Sequence, residues 1–342
     1  MFANKDRLGL LAEQAEGNVE LMVESTVQAV LTAYDNVLVQ EESLVVLQAA
    51  MDLTQERLAR LDASLALGTA RTFDRLQFEN ALLTDSAAWL RQRVASRAAR
   101  RNLNVLLATP DDQIWTLTSE LLDPNATGDL AMAQARLAGE NTSVSNAVLA
   151  MELAEVGVRQ AKSRLSPVLG LTANWGNTAG QSRAVSDLPP QLVFNPYENG
   201  DIQSFVTNYG AQLTLNFNLF NGGATRRAIQ QAQIQMELAG LDRDRLLLEA
   251  QSTLAQAWDR RAAAQELHQL ALRRTENASL AAQLGADRYR DGVLNALDFR
   301  AIDVALLQAE AAELAARQEW AAAHWDVMRL TGDLRAGQVV VR

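Results

Sequence analysis

Gly68-Thr-Ala-Arg-Thr-Phe-Asp-Arg-Leu76 opens a stretch, residues 68–106, that recurs as residues 292–330, which begin Gly292-Val-Leu-Asn-Ala-Leu-Asp-Phe-Arg300. Set against each other without a gap, the two stretches share twelve identities, five of them alanines that an alanine-rich helix matches often by chance. The other seven are Gly68/Gly292, Asp74/Asp298, Leu82/Leu306, Leu83/Leu307, Leu90/Leu314, Arg93/Arg317 and Leu106/Leu330, all at one offset of 224 residues. A fixed offset held by non-alanine residues identifies an internal duplication. It extends upstream, where Tyr34 meets Trp258 and Asp35 meets Asp259.

The segments leading into both glycines read as long helices. Residues 10–66 contain no proline and one glycine, and Val27, Val30, Leu31, Tyr34, Val37 and Leu38 fall at helical spacing. Residues 224–288 repeat this with Ile229, Ile234, Leu238, Leu241, Leu246 and Leu247. A 65-residue helix would be on the order of 100 Å long, more than most globular cores use and what a coiled-coil tube needs. Gly68 and Gly292 let the chain reverse, and the returning helices, about 72–107 and 295–332, are rich in alanines that let helices approach closely. An ordinary helical bundle is the alternative reading of these helices.

Between the copies, Thr109-Pro-Asp-Asp112 and Asp123-Pro-Asn-Ala-Thr-Gly128 bracket an irregular insert, 108–128, followed by one helix at about 129–165 that Pro167 ends. Alternation then takes over. Leu169, Leu171, Ala173 and Trp175 share one face, and over 211–220 Leu213, Leu215, Phe217 and Leu219 alternate with uncharged polar residues. Such apolar-out, polar-in segments fit a transmembrane barrel strand, with 176–209 as a long loop on one side. In water the same segments would make a half-buried hairpin, which needs further strands to be stable.

Composition excludes several classes. The chain has 342 residues, 48% of them apolar, and no cysteine, so disulfides, thiolate metal sites and cysteine nucleophiles are absent. A formal charge of −10 argues against nucleic acid or another polyanion. No apolar run approaches the roughly 20 residues of a spanning helix, and Met1-Phe-Ala-Asn-Lys5 lacks a secretory signal. His268 and His324 have no metal-ligand partner at helical spacing, and no nucleophile elbow or phosphate loop is present. Asn221-Gly-Gly223 is a bend at the end of a strand, with Gly222 and Gly223 as the strand-to-helix hinge. No catalysis, cofactor or metal is expected.

The run Leu213-Thr-Leu-Asn-Phe-Asn-Leu-Phe-Asn-Gly-Gly223 into an alanine- and glutamine-rich helix resembles the strand-to-helix junction of TolC-type outer-membrane efflux proteins, the outer membrane factors. Arg164-Leu-Ser-Pro-Val-Leu-Gly-Leu171 and Tyr289-Arg-Asp-Gly292 with Asp298 are similar to other parts of that family, and Leu65-Ala-Leu-Gly68 with Asp74 is a looser copy. The resemblance spans about residues 18–335. It implies a mainly α fold with a small β part, in which duplicated antiparallel helical hairpins form an α-barrel tunnel and the strands join a trimeric transmembrane β-barrel. It further implies a homotrimeric exit duct in the outer membrane, extending into the periplasm, that passively conducts substrates. A periplasmic adaptor (membrane fusion) protein and an inner-membrane pump would be its partners, in a tripartite efflux pump or type I secretion system. The expected division is 1–107 first hairpin, 108–128 equatorial-like insert, 129–166 second-repeat helix, 167–220 strand pair, 221–334 second hairpin and 335–342 tail. Lipid would meet Leu169, Leu171, Trp175, Leu213, Leu215, Phe217 and Leu219.

The resemblance places Asp298 among tunnel-constricting aspartates, and three copies would make a cation-selective ring. Asp298 also suits a first helical turn capped by Asn295. Tyr289 and Asp74 occupy latch positions at the closed tip. The tips Leu67-Gly68-Thr69 and Gly292-Val293-Leu294 are the expected adaptor contacts. The chain departs from the family where Ala301 replaces a second acid, where Leu294 replaces a basic residue, and where the first strand pair and export signal are missing, which suggests a truncated sequence. A soluble or periplasmic coiled-coil scaffold or adaptor without a pore is the alternative reading.

Overall fold

A computed structural model describes residues 2–68, 71–119, 129–183 and 201–335. The chain is mainly helical: α1 (Phe2–Ala66), α2 (Thr72–Leu106), α3 (Leu130–Glu140), α4 (Thr142–Ser163), β1 (Val168–Arg183), β2 (Asp201–Asn216), α5 (Ala224–Arg290) and α6 (Ala296–Leu330). Two compact units divide it, one made of Met1–Arg7 with Leu153–Leu238 and the other of Leu8–Glu152 with Ala239–Arg342.

The duplication is exact in the backbone of the larger unit. The ends of α1 and α5, and both ends of α2 and α6, lie 224 residues apart. Gly68 and Gly292 take the same left-handed conformation, with φ of 74° and 75°, at the reversal between long and returning helix. The helices end alike too: Leu107 N–H donates to Leu103 O and Thr109 N–H to Asn104 O, as Thr331 N–H does to Val327 O and Asp333 N–H to Met328 O. At the centre of those turns stand Ala108 (φ 53°) and Gly332 (φ 79°).

The cores are copies as well. Ala33, Val30, Tyr34, Leu103 and Leu106 pack with Val37, Ala99 and Leu117 between α1 and α2. Their counterparts Ala257, Leu254, Trp258, Val327 and Leu330 pack with Ala133 and Leu137 of α3. Each fully buried leucine or valine contributes about 1.5–3 kcal/mol, so these seams hold the hairpins closed. The buried alanines Ala81, Ala99, Ala309, Ala321 and Ala323 are those that bring the returning helices close.

The helix expected at 129–165 is two. Asn141 adopts an extended conformation (φ −72°, ψ 118°) between α3 and α4. Its side chain accepts from Val144 N–H at 3.1 Å and donates to Leu330 O at 3.0 Å. An asparagine that satisfies a new helix start and a neighbouring carbonyl makes the break preferable to an unbroken helix. Into this break fits the turn after α6: Arg335 donates to Glu140 O and Thr142 Oγ1, Arg136 pairs with Asp333, and a Cβ on Gly332 would lie 2.8 Å from Glu140 O. In the insert, buried Asn104 donates to the carbonyls of Pro110 (3.1 Å) and Gln113 (3.0 Å) and accepts from Trp115 Nε1 (2.9 Å), folding 108–115 back on α2.

In the smaller unit, α4 runs against the start of α1, where Gln160 donates to Asn4 Oδ1 at 2.9 Å and Arg159 faces Asp6. It also holds the antiparallel hairpin β1–β2, in register from Val168↔Asn216 to Arg183↔Asp201. This corrects the expected loop: 176–183 and 201–209 are strand. The alternation continues through Phe205, Thr207 and Tyr209, but glycine, asparagine and threonine dilute it in the sequence. The strand expected over 211–220 ends instead at Asn216, so Phe217 and Leu219 are not strand residues. Pro167 stands opposite Phe217 by continuation of the register, and a residue without an N–H cannot extend the ladder.

Candidate channel elements

Two sets of residues are candidates for function, the hairpin of the smaller unit and the turn ends of the two helical hairpins in the larger one. In the hairpin, the register aligns Leu169 with Leu215, Leu171 with Leu213, Ala173 with Ala211 and Trp175 with Tyr209 on one face. The opposite face carries Gly170/Thr214, Thr172/Gln212 and Asn174/Gly210, with no charge from Val168 to Gly180. Leu169, Leu171, Trp175, Leu213 and Leu215 are 65–76% exposed, so none of the described residues covers the apolar face. Two strands with such a face are not stable alone in water. Lipid contact on one side and neighbouring strands at both edges remove that cost. Past the hairpin, Gly222 (φ 63°) and Gly223 (φ 78°) make the turn into α5, and Arg227 donates to Gly222 O at 3.1 Å. The two glycines expected to be a hinge therefore do occupy backbone conformations that favour glycine.

At the turns of the larger unit, Leu61 of α1, Phe78 of α2 and Ala296 and Phe299 of α6 form a buried cluster joined by Tyr289 and Leu294. Tyr289 stacks on Phe299 (centroids 4.8 Å apart) and lies 6.1 Å from Phe78. Burial pushes its phenol above the usual value; the nearby charge of Asp74 pushes it further, and Arg57 opposes both. The structure therefore brings Tyr289 and Asp74 into electrostatic reach within one chain, with no hydrogen bond between them among the described residues. Asp298 is exposed at the start of α6. Its N–H donates to Asn295 Oδ1 at 2.8 Å, and Asn295 Nδ2 donates to its carboxylate at 2.7 Å, which is the cap expected there. Leu67 and Val293 project into solvent, whereas Leu294 packs inward. Thr69 lies outside the described residues.

Just behind this cluster lies a polar seam that the sequence did not reveal. Thr54 of α1 donates to Asp85 of α2 at 2.9 Å, Arg300 of α6 pairs with the same carboxylate, and Arg57 pairs with Asp303. Arg57 also lies over the Phe299 ring, 4.2 Å from its centroid. Burial pushes the Asp303 carboxyl up, and Arg57 and Arg300 pull it back. The two ion pairs join residues 215 and 246 apart in sequence, and only the buried polar positions on otherwise apolar stripes hint at them.

No metal-binding group of histidine or acidic residues occurs among the described residues, and no described helix is long and apolar enough to cross a membrane. The outer membrane efflux protein family matches residues 129–333. No curated protein sequence matches. Among solved structures, the outer-membrane channel OprN superposes with a TM-score of 0.74 at 18% identity, covering 95% of this chain and 70% of that one. VceC of Vibrio cholerae gives 0.70 at 18% identity over 96% and 74%. MtrE of Neisseria gonorrhoeae, in its open state, gives 0.75 at 16% over 99% and 73%. At such identities the likeness is one of fold. The match over more than half of the chain shows that this protein belongs to the outer membrane efflux protein family, as an outer-membrane efflux channel and not an enzyme.

Proposed function

We propose that the protein is the exit duct of a tripartite efflux pump or type I secretion system, passively conducting substrates from a periplasm-spanning assembly to the exterior. The observation that carries this reading is the hairpin with an exposed apolar face and no charge from Val168 to Gly180 or from Gln203 to Asn216, which lipid satisfies and water does not. Three copies would pool their hairpins in one barrel and their long helices in one tunnel. Uncovered apolar residues support assembly of copies: Leu76, Leu83, Leu90 and Val94 on α2, and Leu267, Leu270, Leu280 and Leu284 on α5. Leu67, Gly68, Val293 and neighbouring turn residues would meet a periplasmic adaptor, which in turn engages an inner-membrane pump.

Within that assembly Asp298 would form a ring of three carboxylates, and Asp74 with Tyr289 a contact that opening disturbs. The capping of α6 does not compete with the ring, since the Asp298 carboxylate stays exposed while its N–H is satisfied. Planar-bilayer recording of the complete protein tests both levels. Conductance across the bilayer is expected, and its absence would remove the duct. Asp298→Asn should weaken cation preference, and unchanged selectivity would remove the ring alone.

A further inference from the structure

Between α1 and α6 of the larger unit lie two adjoining hollows of about 270 and 550 Å³ that share Val45, Val46 and Glu310. The smaller is walled mostly by aliphatic side chains, Leu53, Leu306 and Leu307 among them, and the larger by Leu38, Val45, Val46 and Leu314 together with four glutamates and Thr275 of α5. Five carboxylates line them: Glu41, Glu42, Asp303, Glu310 and Glu313. Arg57 neutralises Asp303 and Arg100 neutralises Glu41. The other guanidinium of the lining, that of Arg300, is engaged by Asp85. Glu42, Glu310 and Glu313 thus receive no cation from the lining. Glu310 is half-buried where the hollows meet, and forms no ion pair among the described residues.

We propose that this groove is a binding site for an amphiphilic monocation, whose apolar body fills the leucine and valine walls and whose charge sits against Glu310. A purely apolar occupant would leave a half-buried carboxylate desolvated without a partner, which costs free energy, whereas a cation supplies the missing charge. An anion of the same size would meet three carboxylates. Charge complementarity therefore selects the occupant where shape alone would not. The site uses contacts made within one chain, and it stands whether or not the assembled protein conducts.

The probe is tetraphenylphosphonium, with tetraphenylborate as its counterpart of matching shape and opposite charge. Equilibrium dialysis against the complete protein in a non-ionic detergent should show saturable binding of the phosphonium, one per chain, and none of the borate. Glu310→Gln should weaken phosphonium binding by about tenfold or more. Leu307→Trp, which fills the smaller hollow and leaves every carboxylate in place, should abolish it. Binding of both ions alike, or phosphonium binding unchanged in Glu310→Gln and Leu307→Trp, would overturn the site by showing partition into detergent. Helical content measured for each variant separates loss of the site from loss of the fold, and Glu310→Asp, which keeps the charge, should retain more affinity than Glu310→Gln if the carboxylate is what binds.

Discussion

Acidification should destabilise this protein through one histidine. His324 of α6 packs edge-on against Trp325, and its Nδ1 is buried without a hydrogen-bond partner among the described residues. Burial lowers its pKa from 6.5 to about 4; the Arg261 charge pushes the same way, and Asp333 opposes them. The depressed value means that the folded protein prefers neutral imidazole. His324 therefore contributes its full stabilisation above pH 6.5 and loses it as the pH falls toward about 4. At 1.36 kcal/mol per unit, the loss across that window is about 3 kcal/mol. Asp35 and Asp303, whose carboxyls burial pushes up, act in the opposite sense in the acidic part of the range. They act equally in wild type and in His324→Leu, so the comparison cancels them. Urea unfolding in detergent, followed by tryptophan fluorescence, should show wild type losing about 2–3 kcal/mol more than His324→Leu between pH 7.5 and pH 4. Equal losses in the two proteins would refute the assignment of a neutral, buried imidazole.

Asp85→Ala should cost about 2–3 kcal/mol in the same urea assay, because Arg300 and Thr54 lose their common acceptor, with partial exposure of Arg300 limiting the loss. Gly332→Ala should destabilise by about 1–3 kcal/mol, since it combines a left-handed backbone with a Cβ pressed on Glu140 O. The equivalent position in the first copy should respond in the opposite direction, Ala108→Gly raising the urea midpoint by up to about 1 kcal/mol of stability. Asn141→Ala removes both the start of α4 and the donor to Leu330 O, and should cost about 2 kcal/mol, with amide exchange accelerated at the α3–α4 break.

The sequence carried the duplicated elements because their determinants are local. A long proline-free stretch, a glycine at the reversal and an apolar period are each readable within a few turns, and the structure keeps all three at the 224-residue offset. The apolar face of the hairpin was legible from Leu169 to Trp175 and from Leu213 to Leu215 for the same reason. Its outer half was not, since Gly176, Asn177 and Thr178 look like a loop until partners across the hairpin satisfy their backbone. Asn141 was equally hidden: an asparagine inside a helical pattern breaks it only if another element offers a carbonyl, here that of Leu330, 189 residues away. Gly68 and Gly292 were readable as the turns, but the charge of Asp74 acting on the Tyr289 phenol depends on how three helices pack.

The polar seam follows from the duplication by contrast. Thr54, Arg57 and Asp85 have Ala278, Ala281 and Ala309 as their counterparts in the second copy, and Arg300 has Leu76 in the first. Charge in one copy thus answers to small or apolar residues in the other. Two identical hairpins can bury their own seams with the same leucines and alanines, as the paired cores show. Packing one hairpin against the other is different, because α1 meets α6 and not its own equivalent. Opposite charges must then stand on non-equivalent helices: Arg57 faces Asp303 and Asp85 faces Arg300, where Arg57, Asp85 and Arg300 have uncharged counterparts and Asp303 keeps an acid in the other copy as Glu79. The divergence at Arg57, Asp85 and Arg300 therefore belongs to the surface where the copies touch each other, while the leucines and alanines kept in both copies close each hairpin by itself.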